Sequence, residues 1–435
     1  MVQLGMQRLM GDLRRSLAAP SRTPRTAVVI GRLLAIAFLL CFFTGIYSHF
    51  LQEPLRWMVF PTRPIWLYQV TQGIHITAGI LCFPLILAKL YAVFPNLFET
   101  PPVRSFAHFL ERASITLFVA SSLVQIVIGM LNTFQWYALF PFAFRQTHYA
   151  LSYVIIGSLA IHIATKLPVI ARYWRRDQAA EVLALAEALP AAVPAAAPAT
   201  PVPAAGPRMR VRASASRSAA GITGRLFAWI DRTPAAEPKA SRRAFLATIG
   251  VASAVLVTTT AGQSFRLFDG VNIFGPRKND VGPQLLPVNR TAAAAKVLES
   301  AASPDWTLTV SNGETSQVYS RAALAAMPQY TVDLPISCVE GWSQMATWKG
   351  PRLRDLIDTV GADAGVSVRA RSLEQNSSYA VMDMTPEFVR DDLTLVALEV
   401  NGDILDIDHG YPARMIAPAR PGVLQTKWLT SLEVI

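Results

Sequence analysis

The chain has 435 residues, 52% of them hydrophobic and 16% charged, with a formal net charge of +11. This is too apolar for a wholly water-soluble protein and excludes a disordered one; it points to membrane spans joined to a folded soluble part. The basic residues cluster beside apolar runs, so we read them as cytoplasmic flanks of spans and expect no nucleic acid partner.

A bilayer-crossing helix needs about 20 apolar residues. Four early runs meet that length: roughly Ala27–Tyr47, Tyr68–Phe94, Ala113–Phe134 and His148–Ala171. Arg8, Arg14, Arg15, Arg22 and Arg25 precede the first run, and Lys166, Arg172, Arg175 and Arg176 close the fourth. Both flanks are therefore expected in the cytoplasm. Arg32, near the start of the first run, can snorkel to the interface. The connection between the first two runs then faces outward, with Trp57 and Trp66 suited to an interfacial aromatic belt.

From Ala179 to about Pro238 the chain is dominated by alanine, proline and serine with scattered arginine, a composition that makes a linker and no core. Within it, Leu226–Ile230 ("LFAWI") reads as a short segment on the membrane surface. Next comes "SRRAFLATIGVASAVLVTTTAG", Ser241–Gly262. Ser241, Arg242, Arg243, Phe245 and Leu246 resemble a twin-arginine export signal, which is read on the cytoplasmic side. A fifth helix with ordinary basic flanks gives the same topology: an uncleaved outward crossing over about Phe245–Ala261 and a C-terminus outside the cytoplasm.

Six histidines occur, and His49, His75, His148 and His162 lie in or at the ends of the spans, where ionisable groups are costly and are candidates for function. His148 and His162 are 14 residues apart on one helix. They share a face and stand roughly 21 Å apart in depth, which suits two haems at different levels. His75, in the second span, matches the depth of His148, and His49 is the alternative to it. This region resembles the four-helix cytochrome b subunits of membrane quinone-linked oxidoreductases such as formate dehydrogenase. The resemblance implies a b-type haem and exchange of electrons with quinone or quinol. His162 lacks an obvious partner and His108 lies in the inner loop, so one haem is expected, or two if His162 finds a second ligand.

The remaining chain alternates like strands at Trp306–Val310, Val366–Ser372 and Leu393–Val400, and reads as short helices at Arg321–Met327, Arg352–Val360 and Thr385–Asp392. Its one cysteine is Cys338; Cys41 and Cys82 lie in the spans, so no internal disulfide is available to it. A lone exported thiol is buried and inert, a nucleophile, or a metal ligand. The domain's one histidine, His409, has no evident supporting acid for nucleophilic catalysis, and a soft thiolate suits a transition metal.

The run "SCVEGWSQMATWKGPRLRDLI" resembles the metal-binding segment of the sulfite-oxidase family of molybdenum enzymes, in particular its periplasmic methionine sulfoxide reductase branch. A second block, Asn401 to the C-terminus, resembles the same family through His409, Gly410, Pro412, Arg414 and Lys427. The resemblance implies Cys338 as molybdenum ligand, with Trp348, Gly350, Leu353 and Leu356 on a packing helix behind it. It implies a molybdopterin held by Arg414 through a phosphate fork and by Lys427 as a point charge, with Thr426 beside it. His409 stands where that branch has an asparagine. Asn289, Arg290 and Ser372 are further cofactor-binding candidates, and Tyr379 a pocket and catalytic candidate.

The expected architecture is an all-α four-helix transmembrane bundle (1–176), a cytoplasmic linker (177–240), a fifth membrane anchor (241–262) and an exported mixed α+β molybdopterin domain (263–435). The expected protein is an integral inner-membrane oxidoreductase in contact with lipid, passing quinol electrons to a small-molecule or protein-bound S- or N-oxide. A sulfite-type dehydrogenase, distinguished by arginines such as Arg369, Arg371 and Arg390 around its substrate, is the alternative within enzymes. A non-enzymatic receptor with a degenerate cofactor fold, and a transport or assembly component, are the alternatives outside them. The oligomeric state is open.

Overall fold

The computed structural model describes residues 19–98, 103–136, 142–174, 241–375 and 377–435. The Ala/Pro-rich linker, the Leu226–Ile230 segment, Arg175, Arg176 and the basic residues before position 19 lie outside them. Among the described residues, five helices are long and apolar enough to cross a membrane. They are α1 (Pro24–Gln52), α2 (Leu67–Val93), α3 (Phe106–Thr133), α4 (Phe144–Arg172) and α5 (Arg242–Thr260). Most run past the apolar stretches because polar flanks cap or extend them. Thr23 accepts from the Thr26 amide ahead of Pro24 in the first turn, and Ser105 caps α3 through the His108 amide. Ser241 caps α5 through the Ala244 amide, so the serine of the twin-arginine-like motif has a structural use.

The outward faces of the bundle are apolar, with Leu33, Ile36, Phe43, Leu87, Leu117 and Val127 exposed, as a lipid-facing surface requires. Inside, Ile30, Leu34, Phe38, Cys82, Leu85, Ile86, Phe118, Ile126 and Ile155 form its core.

The C-terminal part is mixed α and β. A five-stranded sheet runs in the order β2-β1-β11-β5-β6, from Thr315–Ser320, Thr307–Asn312, Leu429–Val434, Val368–Ser372 and Val381–Met384. The C-terminal strand is parallel to β1 and antiparallel to β5. A second sheet, β3-β4-β8-β9, comprises Tyr330–Ser337, Ser343–Gly350, Glu399–Val400 and Asp403–Ile404. Strands β7 (Leu395–Ala397) and β10 (Arg414–Ile416) form a third, two-stranded sheet. Short helices lie at Arg321–Ala326, Leu353–Asp358 and Pro386–Val389.

One expectation is corrected. Leu353 and Leu356 are helical and fully buried, but Trp348 and Gly350 belong to β4. Trp348 pairs with Val332 across the hairpin and its indole N–H donates to the Leu334 carbonyl (3.1 Å), while a Cβ on Gly350 would lie 2.1 Å from the Val396 carbonyl oxygen. Alternating burial along the strand, with no helical period, is what these residues satisfy.

The two parts are docked end to face. Leu51 at the end of α1, Phe60 in the following connection and Tyr68 at the start of α2 belong to the same core as Leu308, Phe388 and Met415. Each such large side chain removed from water contributes on the order of 2 kcal/mol. The α1–α2 connection adds polar contacts: the Phe60 amide donates to Glu387 Oε1 (3.0 Å), and Arg63 forks onto Asp391 (2.8 and 3.1 Å). Trp57 and Trp66 remain exposed beside it. Gln135 after α3, Arg145 at the start of α4 and Gln263 after α5 also reach the C-terminal part. The ends of α1, α3 and α5 and the starts of α2 and α4 thus share one face. Arg25, Arg32, Lys166, Arg172, Arg242 and Arg243 lie towards the opposite ends of their helices.

Candidate functional site

Strand β3 delivers Cys338 into a tight loop before β4. Its backbone is fixed by the Cys338 amide donating to the Trp342 carbonyl (2.9 Å) and the Gly341 amide donating to the Cys338 carbonyl (3.0 Å). Cys338 is 1% exposed and lines a narrow cleft with an interior of about 80 Å³. Asn289, Arg290, Ser372, Tyr379, Arg414, Thr426 and Lys427 line the same cleft, so residues scattered over 138 positions meet around one sulfur. His409 does not line it: its ring sits behind the wall with Nε2 bonded to the Pro283 carbonyl (2.8 Å), and burial pushes its pKa down to about 4.

The cleft is cationic. Arg414 is 2% exposed, donates to the His409 and Gln425 carbonyls (3.0 and 3.2 Å) and lies over the Trp348 ring at 5.0 Å. Burial lowers its pKa to about 9, leaving it charged at neutral pH. Lys427 Nζ reaches Asn289 Oδ1 (3.3 Å) and the carbonyls of Arg290 (2.6 Å) and Asp408 (2.9 Å). Burial, then the nearby Arg414 charge, brings it down to about 7. Arg290 pairs with Glu374 (2.5 Å). Ser372 Oγ donates to the Lys427 carbonyl (2.7 Å). Thr426 Oγ1 and Gln425 Oε1 are buried without a hydrogen-bond partner, as expected of groups awaiting a polar ligand. Burial and the neighbouring Glu340 push the Cys338 thiol well up. It would therefore stay protonated until a soft metal displaces the proton. One soft sulfur, two buried cations without a carboxylate bonded to them and unsatisfied polar atoms fit an anionic, metal-bearing cofactor.

Arg369, Arg371 and Arg390 are committed elsewhere. They pair with Asp383 (2.8 Å), with Glu433 (3.3 Å) and with Asp358, and none lines the cleft.

Several site residues escaped the sequence. Trp342, Gln425, Ser377 and Glu374 line the cleft. Others come from the membrane part: Gln135 Nε2 donates to the Asn289 carbonyl (2.8 Å) and to Glu340, and Arg145, paired with Glu53, stands 6.0 Å over the Tyr379 ring. Polar side chains at the ends of apolar spans were the available signal.

In the bundle, the rings of His75 on α2 and His148 on α4 meet edge to face, with centroids 6.2 Å apart and planes inclined by 66°. Two imidazoles binding one metal ion from opposite sides require roughly that spacing, with nitrogen–metal bonds of about 2 Å each. His75 Nδ1 bonds the Cys41 carbonyl (2.9 Å), the kind of outer hydrogen bond that orients a ligating imidazole, and His148 Nδ1 is buried without a partner. Gly45 and Gly129 abut the rings; a Cβ on Gly45 would lie 2.9 Å from His75 Cε1. The pair fits a haem. His49 is turned away, stacked on Tyr149 at 3.7 Å and within 3.7 Å of Glu53. His162 stacks on Phe118 at 6.2 Å. Among the described residues no second imidazole faces it, and His108 accepts from the Arg104 amide instead.

Residues 294–435 match the family model described as oxidoreductase molybdopterin binding domain, and residues 22–182 that described as prokaryotic cytochrome b561. The chain is similar to sulfite oxidase of Arabidopsis thaliana (26% identity over 145 residues, 26% of this chain and 37% of the plant protein). It is also similar to the uncharacterized oxidoreductase YuiH of Bacillus subtilis (28% over 111 residues, 25% and 54%) and to mitochondrial sulfite oxidase of Drosophila melanogaster (26% over 158 residues, 30% and 27%). It thus spans between about a quarter and about half of the length of these curated relatives. Among solved structures, the sulfane dehydrogenase SoxCD from Paracoccus pantotrophus aligns with a TM-score of 0.28 and 23% identity over 30% of this chain and 38% of that one.

Proposed function

We propose that this chain, which joins a cytochrome b561 domain carrying b-type haem to a sulfite-oxidase-like molybdopterin domain, is a membrane-bound reductase. It draws electrons from quinol and reduces an extracytoplasmic S- or N-oxide. The observation that carries this reading is the cleft wall: Trp342, Ile336, Val423 and Tyr379 beside Cys338, with Arg369, Arg371 and Arg390 neutralised by carboxylates elsewhere. With Arg414 and Lys427 taken up by the anionic cofactor, the rest of this wall suits a neutral, polar S=O or N–O group better than a doubly charged anion.

When bound, molybdopterin supplies two-electron oxygen-atom chemistry. Cys338 would hold the metal through its thiolate. Arg414 and Lys427 would neutralise the cofactor phosphate, with Arg290 held beside them by Glu374, and Asn289, Ser372 and Thr426 would meet its polar atoms. Burial keeps the Tyr379 phenol protonated. It is therefore a hydrogen-bond donor towards the oxide oxygen, with Arg145 above it opposing the rise. His75 and His148 would hold the haem. A second reading, a sulfite-type dehydrogenase, is favoured by the similarity to the plant and fly sulfite oxidases. Assay of the purified protein with sulfoxides, N-oxides and sulfite, against reduced and oxidised quinone analogues, separates the two: oxide-dependent quinol oxidation is expected, and sulfite-dependent quinone reduction alone would refute the proposal.

Lys427 makes the cofactor site pH-dependent. Its free-state pKa of about 7 rises when an anion binds beside it. The stabilisation is therefore full below about 7 and is lost as pH rises through the higher, bound-state value. Affinity of the apo-protein for molybdopterin should fall towards alkaline pH, by up to about tenfold per unit of pKa rise. Lys427→Met should bind more weakly with a flatter profile; an unchanged profile would remove the charge from the account.

The proposed topology has five spans. The basic helix ends face the cytoplasm and the docked domain sits outside it. A reporter fused after Ile435 should be active only outside the cytoplasm, and activity only inside would overturn the orientation.

A further inference from the structure

The Cys338 loop meets α2 at two points, in addition to the Gln135–Glu340 contact at the end of α3. Gln72 on α2 is 6% exposed, and its Nε2 donates to the Val339 carbonyl at 2.8 Å. One turn on, Ile76 packs against Gly341, where an added Cβ would lie 2.8 Å from Ile76 Cγ1. Gly341 has φ +103°, a conformation that favours glycine, so the missing side chain permits both the loop's turn and this close approach. Residues after α5 hold the same loop: Gln263 Nε2 donates to the Glu340 carbonyl (3.3 Å), the Ser343 amide to the Gln263 carbonyl (2.9 Å) and Ser264 Oγ to the Gly341 carbonyl. Ile76 follows His75 directly in sequence. From the imidazole that meets His148 to the loop bearing Cys338 there is one residue of α2 and one van der Waals contact.

We propose that the Ile76–Gly341 contact, held in register by Gln72, is the route by which electrons pass between the haem at His75 and the metal at Cys338. Gln72 and Ile76 are positioning residues for that step, which rests on the cofactor assignment above. A quinol gives up two electrons and two protons. The electrons cross this contact one at a time, and the oxide takes up two electrons and two protons to leave as the reduced compound and water. A packed, clamped contact holds the separation constant, which a flexible tether between domains would not.

The test uses the full-length holoenzyme and the variants Ile76→Ala and Gln72→Leu. Three rates are read: haem reduction by a quinol analogue, oxide reduction with reduced viologen supplied from solvent, and reoxidation of pre-reduced haem by the oxide. The first two should be unchanged. The third should slow in both variants, because trimming Ile76 or unseating Gln72 opens the packed contact and forfeits its close atom pairs. Unchanged reoxidation in both variants, with haem and molybdenum contents at wild-type levels, would overturn the route while leaving the cofactor assignment intact. Absence of haem or molybdenum from the wild-type protein would instead overturn that assignment, and the route with it.

Discussion

Cys338→Ser is expected to lose effectively all turnover while retaining most of its pterin. The thiol is 1% exposed, and the loop around it is held by backbone hydrogen bonds that serine preserves. Folding stability should fall by about 0.5–3 kcal/mol, the usual range for a single substitution. What changes is the donor: a serine hydroxyl is hard and does not ionise near neutral pH, whereas a thiolate is the soft ligand a transition metal takes. The pterin's polar contacts fall to Arg414, Lys427, Asn289 and Thr426, which line the cleft independently of the sulfur. Pterin content, molybdenum content and turnover measured on the same preparation separate these effects. Full activity in the variant would remove Cys338 from the metal.

Substituting either His75 or His148 by alanine should abolish the dithionite-reducible b-type spectrum, while His49→Ala should keep it. The two rings stand 6.2 Å apart across the bundle, so each variant removes one of two ligands. His49 is instead stacked on Tyr149. A spectrum lost only in His49→Ala would mean that the helices are paired wrongly. A second b-type signal that depends on His162 and survives in His75→Ala would require a ligand for His162 that the described residues do not supply.

Much of this was legible in the chain. Apolar run length marked all five helices, because a bilayer accepts few other ways of satisfying a backbone. Chain spacing also brought out the His75–His148 pair, since depth along a helix is proportional to residue number. In the C-terminal part, Cys338, Arg414 and Lys427 were carried by local motifs, and the cleft gathers all three. Two kinds of feature were not legible. Trp348 and Gly350 were expected on a helix through the resemblance alone; pairing with β3 puts them on a strand. The contacts of Gln72, Gln135 and Arg145 with the C-terminal part depend on how two separately patterned domains dock, which no local period encodes. His409 shows the converse: a residue at a motif position whose ring is taken up by the Pro283 carbonyl.

The most direct measurement follows the haem in the full-length protein. The haem is reduced anaerobically with a quinol analogue and mixed with a sulfoxide or N-oxide in a stopped-flow cell. Rapid reoxidation at the b-type absorbance band is expected, with none in Cys338→Ser. A haem that stays reduced in the presence of every oxide, yet is reduced from its oxidised state by sulfite, would contradict the proposed direction of electron flow.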